Sequence, residues 1–217
     1  MKSINLLIFD LDGTLVNTLG DITASVNYTL AHFGKQPLDT NIVRRFVGDG
    51  TKVLVERALG GRSAHVAEAV NIYKDHHRRN LVFHSTLYPS VKDTLEYFKD
   101  LPMAVITNKS SEFCGPLLER LGIAQNFKMV VGADYGLPLK PAPDAVLKIM
   151  AEYNVSKERT VIVGDSLTDI NAGKAASVIT CAVTYGFCSE DDLVNAGPDF
   201  LIRHFSELKN LFTPMKP

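Results

Sequence analysis

Phe9-Asp10-Leu11-Asp12-Gly13-Thr14-Leu15 follows the apolar run Ile4 to Ile8, and this stretch decides the fold. A buried strand that ends in two carboxylates and a glycine leaves those carboxylates at the carboxyl edge of a sheet, where open α/β sheets bind ligands. Residues two apart on a strand face the same side, so Asp10 and Asp12 converge on one point. Gly13 lets the backbone turn sharply and come close to a ligand. Two like charges held together are costly unless a cation or a shared proton relieves them, so the pair asks for a divalent metal. An Asp-Gly turn that happens to carry two acids is the ordinary alternative.

Three further polar islands weigh against that alternative, each placed just after a predicted strand. Thr107-Asn108-Lys109-Ser110-Ser111 follows the strand Met103 to Ile106. Lys140-Pro141-Ala142-Pro143-Asp144 leads into a helix. Gly164-Asp165-Ser166-Leu167-Thr168-Asp169 follows the strand Thr160 to Val163. Taken singly, Thr107, Asn108 and Asp165 could cap helices and Lys140 could be a solvated loop lysine. Four such islands at strand ends in one order are not explained that way.

Between the islands the pattern alternates between helices and short continuous apolar strands, with further strands at Met129 to Val131, Val178 to Val183 and Phe200 to Ile202. Such an alternation predicts an α/β fold with a doubly wound parallel sheet, covered on both faces. The exception is residues 16–84, where Ile22, Val26, Leu30 and Phe33 recur at helical spacing. Helical patterns also cover Ile42 to Phe46, Thr51 to Leu59 and Ala64 to about Leu81, broken at Gly48-Asp49-Gly50 and Gly60-Gly61. The chain is therefore expected to carry a small all-helical domain (16–84) inserted into a core of residues 1–15 and 85–217.

The inventory of the islands suits phosphoryl transfer. Mg²⁺ prefers hard oxygen ligands shared among a few carboxylates, waters and a substrate phosphate. Asp10 and Asp165 can supply side-chain oxygens, and Asp12 a backbone carbonyl. Lys140 and the Thr107 hydroxyl can hold phosphoryl oxygens, whose charge must be stabilised in the transition state. A carboxylate nucleophile divides hydrolysis into two easier displacements. No glycine-rich Walker loop is present, which disfavours an ATP-driven motor.

Composition narrows the classes further. The 217 residues are 46% hydrophobic and 22% charged, with a net charge of -1. This balance offers no basic footprint for nucleic acid and no polybasic membrane patch. No apolar run approaches the roughly 20 residues of a membrane span. Cys114, Cys181 and Cys188 lack metal-ligand spacing and suit a reducing compartment. With a strand starting at once and no signal peptide, a cytoplasmic protein, monomer or homodimer, is expected.

With these residues in place, the chain resembles the haloacid dehalogenase-like superfamily of aspartate-nucleophile phosphatases over essentially its whole length. The resemblance implies a Rossmann-like core with a helical cap, an Mg²⁺ cofactor and a small phosphorylated metabolite as substrate. It makes Asp10 the nucleophile and Asp12 the general acid/base. It also places Gly13, Thr107, Asn108 and Lys140 around the phosphate, with Asp165 completing the metal site and Asp169 supporting it. Members that cleave carbon–halogen bonds lack an acid at the position of Asp12, which argues for a phosphatase.

Phe46-Val47-Gly48-Asp49-Gly50, Val55-Glu56-Arg57-Ala58-Leu59-Gly60, Ile106-Thr107-Asn108-Lys109 and Thr184-Tyr185-Gly186 look like phosphoglycolate phosphatases. Asn17 departs from the acid common after the first motif, and Ser177 from a common glycine. The resemblance implies hydrolysis of 2-phosphoglycolate to glycolate and phosphate through an aspartyl phosphate. Other phosphatase substrates (a nucleoside monophosphate, a sugar phosphate, pyrophosphate), a phosphoglucomutase-like transferase and a non-catalytic binding module stand as alternatives. A glycolate carboxylate needs a cation or backbone donors. The candidates are the segment Gly48, Asp49 and Gly50 with its amides, then Arg44, Lys52 and Arg57. The run His76-His77-Arg78-Arg79 is expected on the exposed surface of the cap, because adjacent residues do not share a helix face.

Overall fold

The computed structural model describes residues 1–215. The chain opens with β1 (Lys2–Ile4) and β2 (Leu6–Phe9). After β3 (Val16–Asn17) come four helices, α1 (Leu19–His32), α2 (Thr40–Arg44), α3 (Thr51–Ala58) and α4 (Val66–Arg79), and then β4 (Thr86–Leu87). Helices and strands alternate from there: α5 (Val91–Tyr97), β5 (Met103–Ile106), α6 (Ser111–Arg120), β6 (Met129–Val131), α7 (Asp144–Tyr153) and β7 (Thr160–Gly164). The chain ends through α8 (Leu167–Ala175), β8 (Ile179–Val183), α9 (Glu190–Ala196), β9 (Phe200–Ile202), α10 (Leu208–Leu211) and β10 (Phe212–Pro214).

The main sheet has six parallel strands in the order β6-β5-β2-β7-β8-β9. Its strands are apolar throughout because both faces are buried. Leu7 and Phe9 join one apolar cluster while Leu6 and Ile8 join the cluster on the opposite face. The chain winds outward from β2 through β5 to β6, then reverses through β7, β8 and β9. The reversal lies between β2 and β7, the crevice where doubly wound sheets bind ligands. Asp10 and Asp165 follow those two strands.

The predicted strand from Ile4 to Phe9 is two strands. β1 pairs parallel with β10 in a separate two-stranded ladder, whereas β2 pairs with β5 and β7. Asn5 is the break, where the chain passes from one set of partners to the other. At the far end of α8, Ser177 adopts φ 58°, a left-handed conformation that glycine takes with the least strain.

Helices α1–α4 enclose an apolar cluster of their own, built from Ile22, Val26, Leu30, Val43, Leu54, Val55, Leu59, Ala69 and Tyr73. Val16 and Leu81 pack instead into the cluster of the sheet. Where the chain leaves the sheet and returns, β3 and β4 pair antiparallel, Val16 opposite Leu87 and Asn17 opposite Thr86. Just beyond, the buried Asp21 carboxylate accepts four hydrogen bonds, from the amides of Phe83 (3.1 Å), His84 (2.8 Å) and Ser85 (2.9 Å) and from Ser85 Oγ (2.6 Å). One side chain in the first turn of α1 thus ties down the returning segment.

Candidate active site

The ends of β2, β5 and β7 and the loop before α7 bring the four islands together. A cavity of about 640 Å³ opens over them, lined from below by Asp10, Asp12, Thr107, Lys109, Lys140 and Asp165. Its roof comes from the helical module, with Gly48, Asp49, Gly50, Leu54, Tyr73 and His77.

Asp10 is buried, and its amide extends the sheet ladder to Val163 O at 2.9 Å. The chain then turns through Gly13, at φ 91°. A β-carbon there would stand 2.2 Å from Asp165 Oδ2, so a glycine is needed for the first loop to lie against that carboxylate. Gly186 approaches Asp165 from the other side just as closely. Thr14 Oγ1 donates to Asp165 Oδ1 at 2.8 Å, and the Phe187 amide to Oδ2 at 2.7 Å.

Lys140 Nζ lies 2.7 Å from Asp10 Oδ1 and 2.6 Å from Asp169 Oδ1, and it donates to Ile106 O at 3.0 Å. Burial alone would lower its affinity for a proton, but Asp10 and Asp169 together raise it well above the usual lysine range. Asp169 spends its other oxygen on Ser166, from the amide at 3.0 Å and Oγ at 2.5 Å, closing a capping box on α8. Asp10, Asp165 and Asp169 each place a carboxylate oxygen within 4.8 Å of the others. Burial pushes the carboxyls of Asp10 and Asp165 upward, and the neighbouring carboxylates add to it. Three buried acids against one ammonium leave a deficit of positive charge. Asp10 Oδ1 accepts no well-aligned hydrogen bond among the described residues, despite the ammonium beside it. Buried carboxylate oxygens clustered with too little positive charge are what a divalent cation would occupy.

Across the floor, Lys109 Nζ stands 3.2 Å from each oxygen of Asp12. The same ammonium is 3.3 Å from His77 Nε2. Thr107 Oγ1 accepts from the Lys109 amide at 3.2 Å, while Thr107 itself faces the cavity. Asn108 spends its amide on backbone: Nδ2 donates to Gly48 O (2.8 Å) and Lys140 O (3.0 Å), and Oδ1 accepts from Lys140 N (3.0 Å). It therefore fixes the Lys140 loop and joins it to the helical module.

Of the residues expected to read a carboxylate, Gly48, Asp49, Gly50 and Arg44 line the cavity, whereas Lys52 and Arg57 do not. Lys52 is exposed and does not line the cavity. Arg57 pairs with Asp49 at 2.6 Å. Arg44 donates through Nε to Phe187 O at 2.9 Å and through Nη2 to Gly186 O, which bridges the module to the sheet. His77 overturns the expected exposed run, being 1% exposed and turned toward the floor. Ala69 and Tyr73 share its buried face at intervals of four, a spacing that was available in the sequence. Lys109 was quoted within an island but given no role. Its place beside Thr107-Asn108 at a strand end was the signal.

Residues 7–183 match the family model of haloacid dehalogenase-like hydrolases. The chain is 37% identical over 216 residues to phosphoglycolate phosphatase 1 of Pseudomonas aeruginosa, covering 94% of this chain and 78% of that one. It is 36% identical over 212 residues to a phosphoglycolate phosphatase of Colwellia psychrerythraea, covering 93% and 94% of the two chains. Among solved structures, a predicted phosphoglycolate phosphatase from Haemophilus somnus superposes with a TM-score of 0.92 at 29% identity, covering 97% and 99%.

Proposed function

The chain belongs to the haloacid dehalogenase-like hydrolase family, and from that premise we propose that it is an Mg²⁺-dependent phosphomonoesterase acting on 2-phosphoglycolate. The observation that carries this reading is the buried trio Asp10, Asp165 and Asp169, with Lys140 beside Asp10 and Asp12 on the same floor. Residues 16–84 act as the cap, which closes over the floor and excludes water. Free thiols at all three cysteines suit a cytoplasmic setting.

Asp10 and Asp165, with the carbonyl of Asp12, would hold Mg²⁺. Both Asp165 oxygens already accept one hydrogen bond, and each keeps a lone pair for a metal. When bound, the ion offsets the charge of the phosphoryl oxygens. The Asp10 carboxylate attacks phosphorus, and the ester P–O bond breaks as Asp12 gives its proton to the leaving alkoxide. Asp12, now ionised, takes a proton from water. That water's oxygen attacks the phosphorus of the aspartyl phosphate, which restores Asp10 and releases phosphate. Thr107 and Lys140 face the transferring group, and Asp169 keeps Lys140 in place.

Release of inorganic phosphate across a panel of esters tests the proposal, with specificity compared as kcat/KM. A cavity of about 640 Å³ is larger than glycolate requires. The panel therefore includes sugar phosphates, nucleoside monophosphates and pyrophosphate. Asp10→Asn is expected to abolish turnover with the fold retained. Near-normal activity in that variant would remove Asp10 as nucleophile.

A further inference from the structure

We infer that His77, carried by the helical module, is a positioning residue for Asp12 and acts through Lys109. The inference rests on the phosphatase reading above and goes beyond it, because it names what aims the proton-handling carboxylate.

The geometry fixes a one-way chain of hydrogen bonds. A lysine ammonium has three N–H groups and no acceptor. Two of those of Lys109 are met by the Asp12 oxygens, at 3.2 Å each. The third meets His77 Nε2 at 3.3 Å, which must then be the unprotonated ring nitrogen. The neutral imidazole carries its hydrogen on Nδ1, which lies 3.2 Å from Ser25 Oγ. Ser25 Oγ in turn donates to Asp21 O at 2.8 Å. The ring has little freedom to turn, since Tyr73 stacks on it (5.3 Å between centroids) and Phe113 meets it edge-on (4.9 Å).

Lys109 itself is nearly buried, with its side chain 6% exposed. A buried ammonium with an unmet N–H is unfavourable and seeks another partner. His77 is the acceptor that completes its set, so the ammonium stays on Asp12 while the module is docked. With the module displaced, Lys109 loses its third partner and Asp12 loses the neighbour that fixes its orientation. The acid/base is thus aimed only when the roof of the cavity is in place.

The test compares His77→Phe, which keeps the ring packing without an acceptor, with His77→Gln, whose amide oxygen can reach Lys109. Positioned acid–base catalysis contributes about 10²–10⁴-fold, and a partial loss of aim should lower kcat about 10–100-fold in the Phe variant. KM should stay within about threefold, since the ring that lines the roof is kept. The Gln variant should recover most of kcat. Wild-type kcat in a folded Phe variant overturns the inference, as does an equal loss in both variants, which would assign His77 to packing alone. If His77→Phe does not fold, His77→Asn, whose shorter amide falls short of Lys109, takes its place under the same outcomes. Absence of phosphate release by the wild-type protein from every ester overturns the phosphatase reading, and this inference with it.

Discussion

Asp21→Ala removes a carboxylate that reaches from α1 across to the segment returning to the sheet. Four donors lose their acceptor: the amides of Phe83, His84 and Ser85, and Ser85 Oγ. Phe83 and His84 are exposed residues, and water can replace part of what they lose. Ser85 is 5% exposed, so its two donors are left without a partner. Each buried donor left unpaired costs about 1–3 kcal/mol, and the total is about 3–5 kcal/mol. For a protein of this length each kcal/mol shifts Tm by about 2–4 °C, so a fall of about 6–20 °C is expected. Differential scanning calorimetry measures it, with urea unfolding as a second probe. Ser85→Ala, which deletes only the hydroxyl bond, should cost about 1 kcal/mol. A Tm for Asp21→Ala within about 2 °C of wild type would refute the reasoning, because the four bonds would then carry no net stability.

Two further outcomes are expected. Mg²⁺ at a hundred times its Kd should stabilise the folded protein by about 2.7 kcal/mol, a rise of about 5–10 °C in Tm. Asp165→Asn should remove that rise, and a rise that survives would place the ion elsewhere. On the acid side, burial and then Lys109 hold the His77 imidazole down at about 2, against 6.5 in the unfolded chain. Its stabilising contribution is full above pH 6.5 and is lost as pH falls below that value, because only the unfolded chain then takes up the proton. Between pH 7 and pH 5 the loss is about 2 kcal/mol. His77→Phe should therefore show a flatter stability profile over that range by urea unfolding, and parallel profiles for the two proteins would contradict the assignment.

The strands and their edge were legible because a continuous apolar run followed by polar residues is a local signal. Three of the islands follow a strand directly, and the Lys140 island leads into a helix. Asp10, Thr107, Lys140 and Asp165 could thus be expected on one edge. The division of the first strand at Asn5 was not legible, because it depends on β10, more than 200 residues away in the chain. The Lys109–Asp12 pair spans 97 positions and the His77–Lys109 contact 32, and no local pattern encodes either. The same holds for Arg44, whose charge suggested a ligand but whose partners are backbone carbonyls contributed by a distant loop. Ser177 shows the reverse case, a departure visible in the sequence whose meaning needed a dihedral angle.

The Gly186–Phe187 peptide is grasped on both of its polar sides, its carbonyl by Arg44 and its N–H by Asp165. A peptide unit is planar and stiff, so it works as a rocker arm between a guanidinium on the helical module and a carboxylate at the sheet edge. A cation on the oxygen also polarises the N–H and strengthens what it donates. Lifting the roof of the cavity would therefore slacken the grip on Asp165 in the same motion, and a movement above the cavity would reach that carboxylate through a single amide plane.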